Sequence, residues 1–377
     1  MDIINLILTD YTLQIVSLGS ALLGIISGVL GSFAVIRKQS LLGDAVSHAA
    51  LPGIAIAFLL TGTKNTEILL LGALVSGLLS TFLINAISKY SRIKFDSALA
   101  LILSVFFGGG LVLLTYIQKI PNANQAGLEK FIFGQASTVL LRDVKIIAIL
   151  GSLLLVLVVI FWKEFKIVSF DIDFAESLGF DTKKITMLLF AMIVTSIIIG
   201  LQTVGVILMS AMLTAPAVAA RQWTDKLHIM VFLSAIFGAI SGIGGTIVSS
   251  VVSKLPTGPM IVVIISIIVI ISITLAPNRG LVWRYIRNKR NQKNIGEDQV
   301  LANVYHLAMN HETIDHGHDI FTISADANLK EEGRINIKNQ LEHLKSKGLT
   351  SRDEKDKWFI TDKGIDYVEN YFREEEI

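Results

Sequence analysis

Inside an otherwise apolar stretch, Asp44 and His48 are the conspicuous ionisable residues of this sequence, and they stand four apart. On an α-helix residues i and i+4 share one face, so a carboxylate and an imidazole at this spacing can approach the same ion. That donor pair suits Mn(II), Fe(II) or Zn(II), with further oxygens, waters or another helix completing the shell. The 377 residues include no cysteine, which removes thiolate ligands and disulfides and disfavours Cu(I). A plainer arrangement fits the spacing too: Asp44 caps a helix end and His48 bonds to it. Arg37 and Lys38 precede Asp44 by only about two helical turns, so the depth of the pair is open.

The elements that must position this pair are membrane helices. Of the residues 52% are hydrophobic and 17% charged, and mean hydropathy is +0.63, a balance that excludes an ordinary soluble domain. Apolar runs at 12–36, 41–61, 66–88, 97–117, 144–162, 185–202, 204–220, 228–251 and 260–276 predict an all-α polytopic membrane protein of eight to nine transmembrane helices. The division between the sixth and seventh runs is least defined. Gln202 to Gly205 leaves room for a minimal turn, a re-entrant pair or one broken helix. The first run lacks a basic leader and is as long as a span, so it reads as a retained helix.

Lysine and arginine gather in alternate connections, which predicts the N-terminus outside and the C-terminus in the cytoplasm. Through Arg287 there are 20 Lys+Arg against 13 Asp+Glu, net +7; from Asn288 onward there are 13 against 18, net −5. The expected domains are therefore a transmembrane permease domain, 1–287, and a soluble cytoplasmic domain, 288–377. Glycines such as Gly24, Gly28, Gly31 and the triplet Gly108 to Gly110 are expected to pack helices closely. Pro216 and the Pro256/Pro259 pair are expected to break helices, either as a gate or simply as helix ends.

A second segment with chemical character runs from Ser169 to Lys184. It contains Asp171, Asp173, Ala175, Glu176 and Gly179, and reads as a short acidic amphipathic helix with a glycine stop. Such a helix suits docking into a partner's groove, and it equally fits a solvated connection.

Four stretches in order resemble one family. They are Ser40-Leu-Leu-Gly-Asp-Ala-Val-Ser-His-Ala-Ala-Leu-Pro-Gly53, the Asp-x-Asp-x-Ala-Glu-x-x-Gly loop, Thr214-Ala-Pro-Ala-Val-Ala-Ala-Arg221 and Pro256-Thr-Gly-Pro259. Together they resemble the permease subunits of ATP-binding-cassette importers for manganese, zinc and iron, over essentially residues 1–287. The resemblance implies that Asp44 and His48 match the metal-coordinating pair. It implies too that Asp171 to Gly179, with Asp173, Ala175 and Glu176, form the coupling helix. It further implies a homodimeric permease in a bacterial cytoplasmic (inner) membrane, two separate ATPase subunits and an extracytoplasmic metal-binding protein. The cargo would be Mn(II), Zn(II) or Fe(II), with Mn(II) placed first, and no covalently bound cofactor is expected. The chain carries no Gly-x-x-x-x-Gly-Lys-Ser/Thr phosphate loop, so ATP hydrolysis falls to another subunit. Two other readings remain: a secondary metal carrier driven by an ion gradient, and a membrane-tethered metal-responsive regulator.

The tail predicts a helix from Gly296 to Asn310, a polar loop, a helix from Lys330 to Lys347 ended by Gly348, two short strands around Asp353 to Lys357, and a last helix. This α+β pattern resembles winged-helix domains, including those of metal-dependent repressors. Net charge −5 opposes DNA binding, which rests on neutralising phosphates, so no nucleic-acid partner is expected and a regulatory or dimerising role is preferred. His311, Asp315, His316 and His318 fall within eight residues. They suit a regulatory Zn or Mn site or, equally, a solvated loop.

Overall fold

The computed structural model describes residues 10–63, 65–120, 140–252, 255–309, 317–326, 331–353 and 356–375. The chain divides into two compact units, Met1–Leu281 and Val282–Ile377. The first unit contains α1 (Tyr11–Ile36), α2 (Leu42–Thr61), α3 (Thr66–Tyr90), α4 (Phe95–Gln118) and α5 (Leu141–Ile160). It continues with α6 (Trp162–Phe170), α7 (Ile172–Ser177), α8 (Thr182–Val204), α9 (Val206–Trp223), α10 (Leu227–Val251) and α11 (Thr257–Leu275). Eight of these helices are long and apolar enough to cross a membrane. The chain is a polytopic helical membrane protein.

The uncertain division near residue 204 resolves into a hairpin. Gly205 adopts φ 88°, ψ 167°, a conformation essentially confined to glycine, and it alone separates α8 from α9. A Cβ at Gly200 would lie 2.2 Å from the Met209 sulfur, so residues on either side of the break touch. In one continuous helix, residues nine apart would be roughly 13 Å apart along the axis. The chain therefore doubles back at Gly205. Of the prolines expected to break helices, Pro256 is the cap residue before α11 and Pro259 lies in its first turn, where no amide is needed. Pro216 instead sits inside α9, which runs through it.

Small residues set the packing. A Cβ at Gly24 would meet the Gly238 carbonyl at 2.2 Å, and one at Gly28 the Ser234 carbonyl at 2.5 Å, so α1 and α10 run backbone against backbone. The Ser234 hydroxyl donates to the Gly28 carbonyl at 2.7 Å across this seam. Between α2 and α3, Gly53 and Gly72 approach in the same way, and the Ser76 hydroxyl donates to the Ala49 carbonyl at 2.6 Å. The helix that carries Asp44 and His48 is thus clamped to α3. The triplet on α4 behaves differently from expectation: only Gly110 packs, against Leu51 and Pro52, while a Cβ at Gly108 or Gly109 meets nothing within 4 Å.

The second unit comprises α12 (Leu281–Met309), α13 (Ile320–Asp326), α14 (Glu331–Ser346), β1 (Thr350–Arg352), β2 (Trp358–Ile360) and α15 (Asp362–Glu375). Helix α12 runs without a break through residues 287 and 288, and α13 occupies part of the expected polar loop. The strands pair antiparallel, with Thr350 opposite Ile360 and Arg352 opposite Trp358, and an isolated bridge joins His318 to Trp358. Val300, Leu301, Ile323, Leu341, Leu344 and Trp358 form the core of this unit.

Candidate functional site

Asp44 lies in the first turn of α2, where a carboxylate is favoured by the helix dipole. The cap residue is Leu41, whose side chain makes no capping bond. The Asp44 Oδ1 to His48 Nε2 separation is 3.5 Å, with the side chains 44% and 18% exposed. That is longer than a good hydrogen bond. Two donors each about 2.0–2.2 Å from one ion, at octahedral or tetrahedral angles, stand roughly 3.0–3.5 Å apart, so the pair is spaced to share a cation. The His48 ring is steadied edge-on against Phe107 of α4, centroids 4.7 Å apart, and its Nδ1 is buried without a hydrogen bond. Pro52 has no amide hydrogen, so the His48 carbonyl cannot accept the usual bond from residue 52, leaving an oxygen one turn deeper than Asp44. Among the described residues no group of three or more His, Asp or Glu side chains could hold a metal. Among the described residues, Asp44 and His48 stand together without a third such side chain beside them.

The same end of the unit carries the α6–α7–α8 segment, since the Phe33 ring near the end of α1 meets Trp162 and Phe165 at 6.0 and 5.9 Å. Asp171 caps α7, its Oδ1 accepting from the Phe174 amide at 2.9 Å. Ala175 is fully buried, Glu176 accepts from the Thr182 hydroxyl at 2.7 Å, and Gly179 terminates the turn at φ 84°. Asp173 stays exposed in the first turn. Asp171, Glu176, Ala175 and Gly179 thus help build the segment, and its exposed surface carries, beside these charges, four large apolar side chains: Phe170, Ile172, Phe174 and Leu178 are each 44–55% exposed. Sequence reasoning weighted the charges and missed these four. The signal was present, because a helix of six residues has only one face to bury and Ala175 occupies it.

Of the tail residues, His311, Asp315 and His316 lie outside the described residues. His318 is buried at 6% exposure, and its backbone is bonded in both directions to Trp358. Arg352, the last residue of β1, is ion-paired to Glu342 at 2.9 Å and to Asp356, and its guanidinium stacks 5.4 Å over Trp358.

The model of the ABC 3 transport family matches residues 9–276. The chain belongs to this family. The zinc transport system membrane protein TroC of Treponema pallidum is 52% identical over 75% of this chain and 95% of its own length. The manganese transport system membrane protein MntC of Bacillus subtilis is 41% identical over 94% of this chain and 80% of its own, a match long enough to include most of the tail. Among solved structures, PsaBC from Streptococcus pneumoniae in complex with Fab aligns with a TM-score of 0.66 and 32% identity, covering 76% of this chain and 99% of that one.

Proposed function

We propose that the chain is the membrane permease of an ATP-driven importer that passes a divalent transition-metal ion through Asp44 and His48. The observation that carries this is the carboxylate–imidazole pair, spaced for a shared ion, on a clamped helix of an otherwise apolar bundle. The chain is a transport subunit, and ATP hydrolysis is done by partner subunits. Mn(II) is the first cargo in this reading, with Zn(II) and Fe(II) next. An oxygen and an imidazole without thiolate suit Mn(II), and the manganese-named relative also matches the tail, while the zinc-named TroC keeps Zn(II) in view.

A homodimer completes the half-site in this reading, since two copies bring four side-chain donors to one seam. The open small-residue face of α4 at Gly108 and Gly109, next to Phe107, supports that seam. Two ATPase subunits dock on Phe170, Ile172, Phe174 and Leu178, and an extracytoplasmic binding protein delivers the ion. The lysine-rich connections support an outside N-terminus and a cytoplasmic tail in a bacterial inner membrane. The tail's order of helix, bridge, two helices, two strands and helix supports a winged-helix-like regulatory module. The engagement of Arg352 by two carboxylates speaks against reading of nucleic acid.

Reconstitution with the partner ATPase tests the proposal. ATP-dependent Mn(II) uptake should be abolished by Asp44→Ala at normal expression, and Zn(II) competition ranks the cargoes. Full uptake by that variant removes the ligand role. Uptake driven by a proton gradient and indifferent to ATP replaces the importer with a secondary carrier.

A further inference from the structure

At the end of the first unit that carries α7, a cavity of about 690 Å³ opens between the α1–α2 link, the last turns of α3 and the start of α8. Its wall holds three cations, Arg37, Lys89 and Lys183, against one carboxylate, Glu176, which already accepts from Thr182. Arg37 donates to the neutral Thr186 hydroxyl at 3.3 Å and stacks 5.3 Å over Phe190, and Lys89 lies over the Tyr90 ring at 5.8 Å. Among the described residues none of the three cations forms an ion pair. A half-buried guanidinium with no carboxylate partner is costly and favours a bound anion. In the same wall the Gln39 Oε1 is buried without a hydrogen bond, an unused acceptor that a ligand hydroxyl would satisfy. Beyond the polar end the cavity becomes an apolar trough, with Leu78, Phe82 and Met187 38–68% exposed along α3 and α8.

A cationic end joined to an apolar trough at a membrane boundary fits an anionic amphiphile. We propose that this cavity binds an anionic phospholipid, its phosphodiester held by Arg37, Lys89 and Lys183. A glycerol or headgroup hydroxyl donates to Gln39, and an acyl chain lies along Phe82 and Met187. Basic pockets between membrane helices recognise phosphate headgroups in this way. Because Ile172 and Glu176 of α7 form one wall, the lipid braces the segment on which the proposed ATPase docks.

Native mass spectrometry of the purified full chain in detergent tests this, with phosphatidylglycerol, phosphatidylcholine and inorganic phosphate as separate probes. No ATP or metal is present, so the result is independent of the transport assignment. Each basic residue near a lipid phosphate contributes about fivefold in affinity, so Arg37→Gln/Lys89→Gln/Lys183→Gln should lower phosphatidylglycerol binding on the order of a hundredfold. Should the triple variant fail to fold, Lys89→Gln alone should lose about fivefold. Lys163→Gln/Lys166→Gln, outside the cavity, should bind as the unaltered chain does. Equal retention of phosphatidylcholine, equal saturation by inorganic phosphate, or undiminished binding by the cavity variants overturns the proposal. Displacement of the lipid on adding the ATPase overturns the bracing of α7, because the lipid and the docked partner then exclude one another.

Discussion

Gly108→Leu separates the fold of one chain from the assembly of two. In the single chain the change has no steric cost, because a Cβ at Gly108 meets no atom within 4 Å. Replacing a mid-helix glycine with leucine also raises intrinsic helix stability by about 0.8–1 kcal/mol. The isolated chain should therefore unfold no earlier than the unaltered protein. Across a two-fold seam the outcome reverses. Overpacking a close contact costs about 1–3 kcal/mol per site, and symmetry places the leucine twice, giving about 2–6 kcal/mol. That is a loss of roughly thirty-fold to twenty-thousand-fold in the dimerisation constant.

Single-molecule photobleaching in liposomes reads the dimer, and thermal unfolding in detergent reads the fold. The control is Gly53→Leu, whose Cβ would lie 2.1 Å from the Gly72 carbonyl and which should lower the yield of folded chain outright. If Gly108→Leu leaves dimer fraction and ATP-driven uptake unchanged, the α4 face is not the seam. The completion of the half-site by a second copy through that face is then refuted.

Gly205→Val should destabilise the first unit by about 1–3 kcal/mol in denaturant unfolding, because a β-branched residue must adopt φ 88°, ψ 167° to keep the hairpin. Phe174→Asp should leave the unfolding temperature within error, since the ring is 55% exposed, yet abolish co-purification with the ATPase; unchanged co-purification removes α7 from the docking surface. In the tail, Glu297 is 2% exposed and bonded to Lys347 at 2.9 Å and His343 at 3.0 Å. Burial raises its carboxyl pKa, but the bonds from Lys347 and His343 outweigh that and hold it below the ordinary carboxylate value. A depressed pKa stabilises above the unfolded value, about 4.3, and that stability is lost as pH falls through the folded value. Limited proteolysis of the tail should therefore accelerate below about pH 4, and Glu297→Gln, costing about 1.5–3 kcal/mol at neutral pH, should remove that acid-dependent step.

The spans were legible in the sequence because hydrocarbon demands a run of about 20 apolar residues, and each expected run lies within about a turn of its helix. The exception is instructive. A one-residue reversal at Gly205 leaves only Gln202 and Thr203 to mark it, and the backbone dihedral at Gly205 is what distinguishes a hairpin from a broken helix. The clamp between Gly53 and Gly72 was legible as a tendency of small residues to pack, without its partner. The empty surroundings of Gly108 and Gly109 could not be read, since sequence alone does not say which glycine faces a neighbour. In the α7 segment, attention to charge favoured Asp171 and Glu176, which the fold spends on a cap and on a bond to Thr182. Helix α13 escaped because seven residues in a polar stretch give too few apolar repeats to define a face.

The pair that first suggested transport is now constrained in how it can work. Asp44 and His48 sit within the first two turns of α2, near the α7 end of the unit rather than at mid-depth. Their helix is fixed to α3 by backbone contact and by Ser76, and the imidazole is fixed by Phe107. Bending α2 alone would break these contacts, so the pair is a poor candidate for a gate that opens within one chain. What can still change is the distance from each half-site to donors outside the chain. If a second copy supplies those donors, ion affinity depends on the separation of two rigid bodies, with two ligands held by each. Docking on α7, at the same end of the unit, is then placed to set that separation, which links ATP-driven closure to loading and release without requiring any rearrangement of Asp44 and His48 themselves.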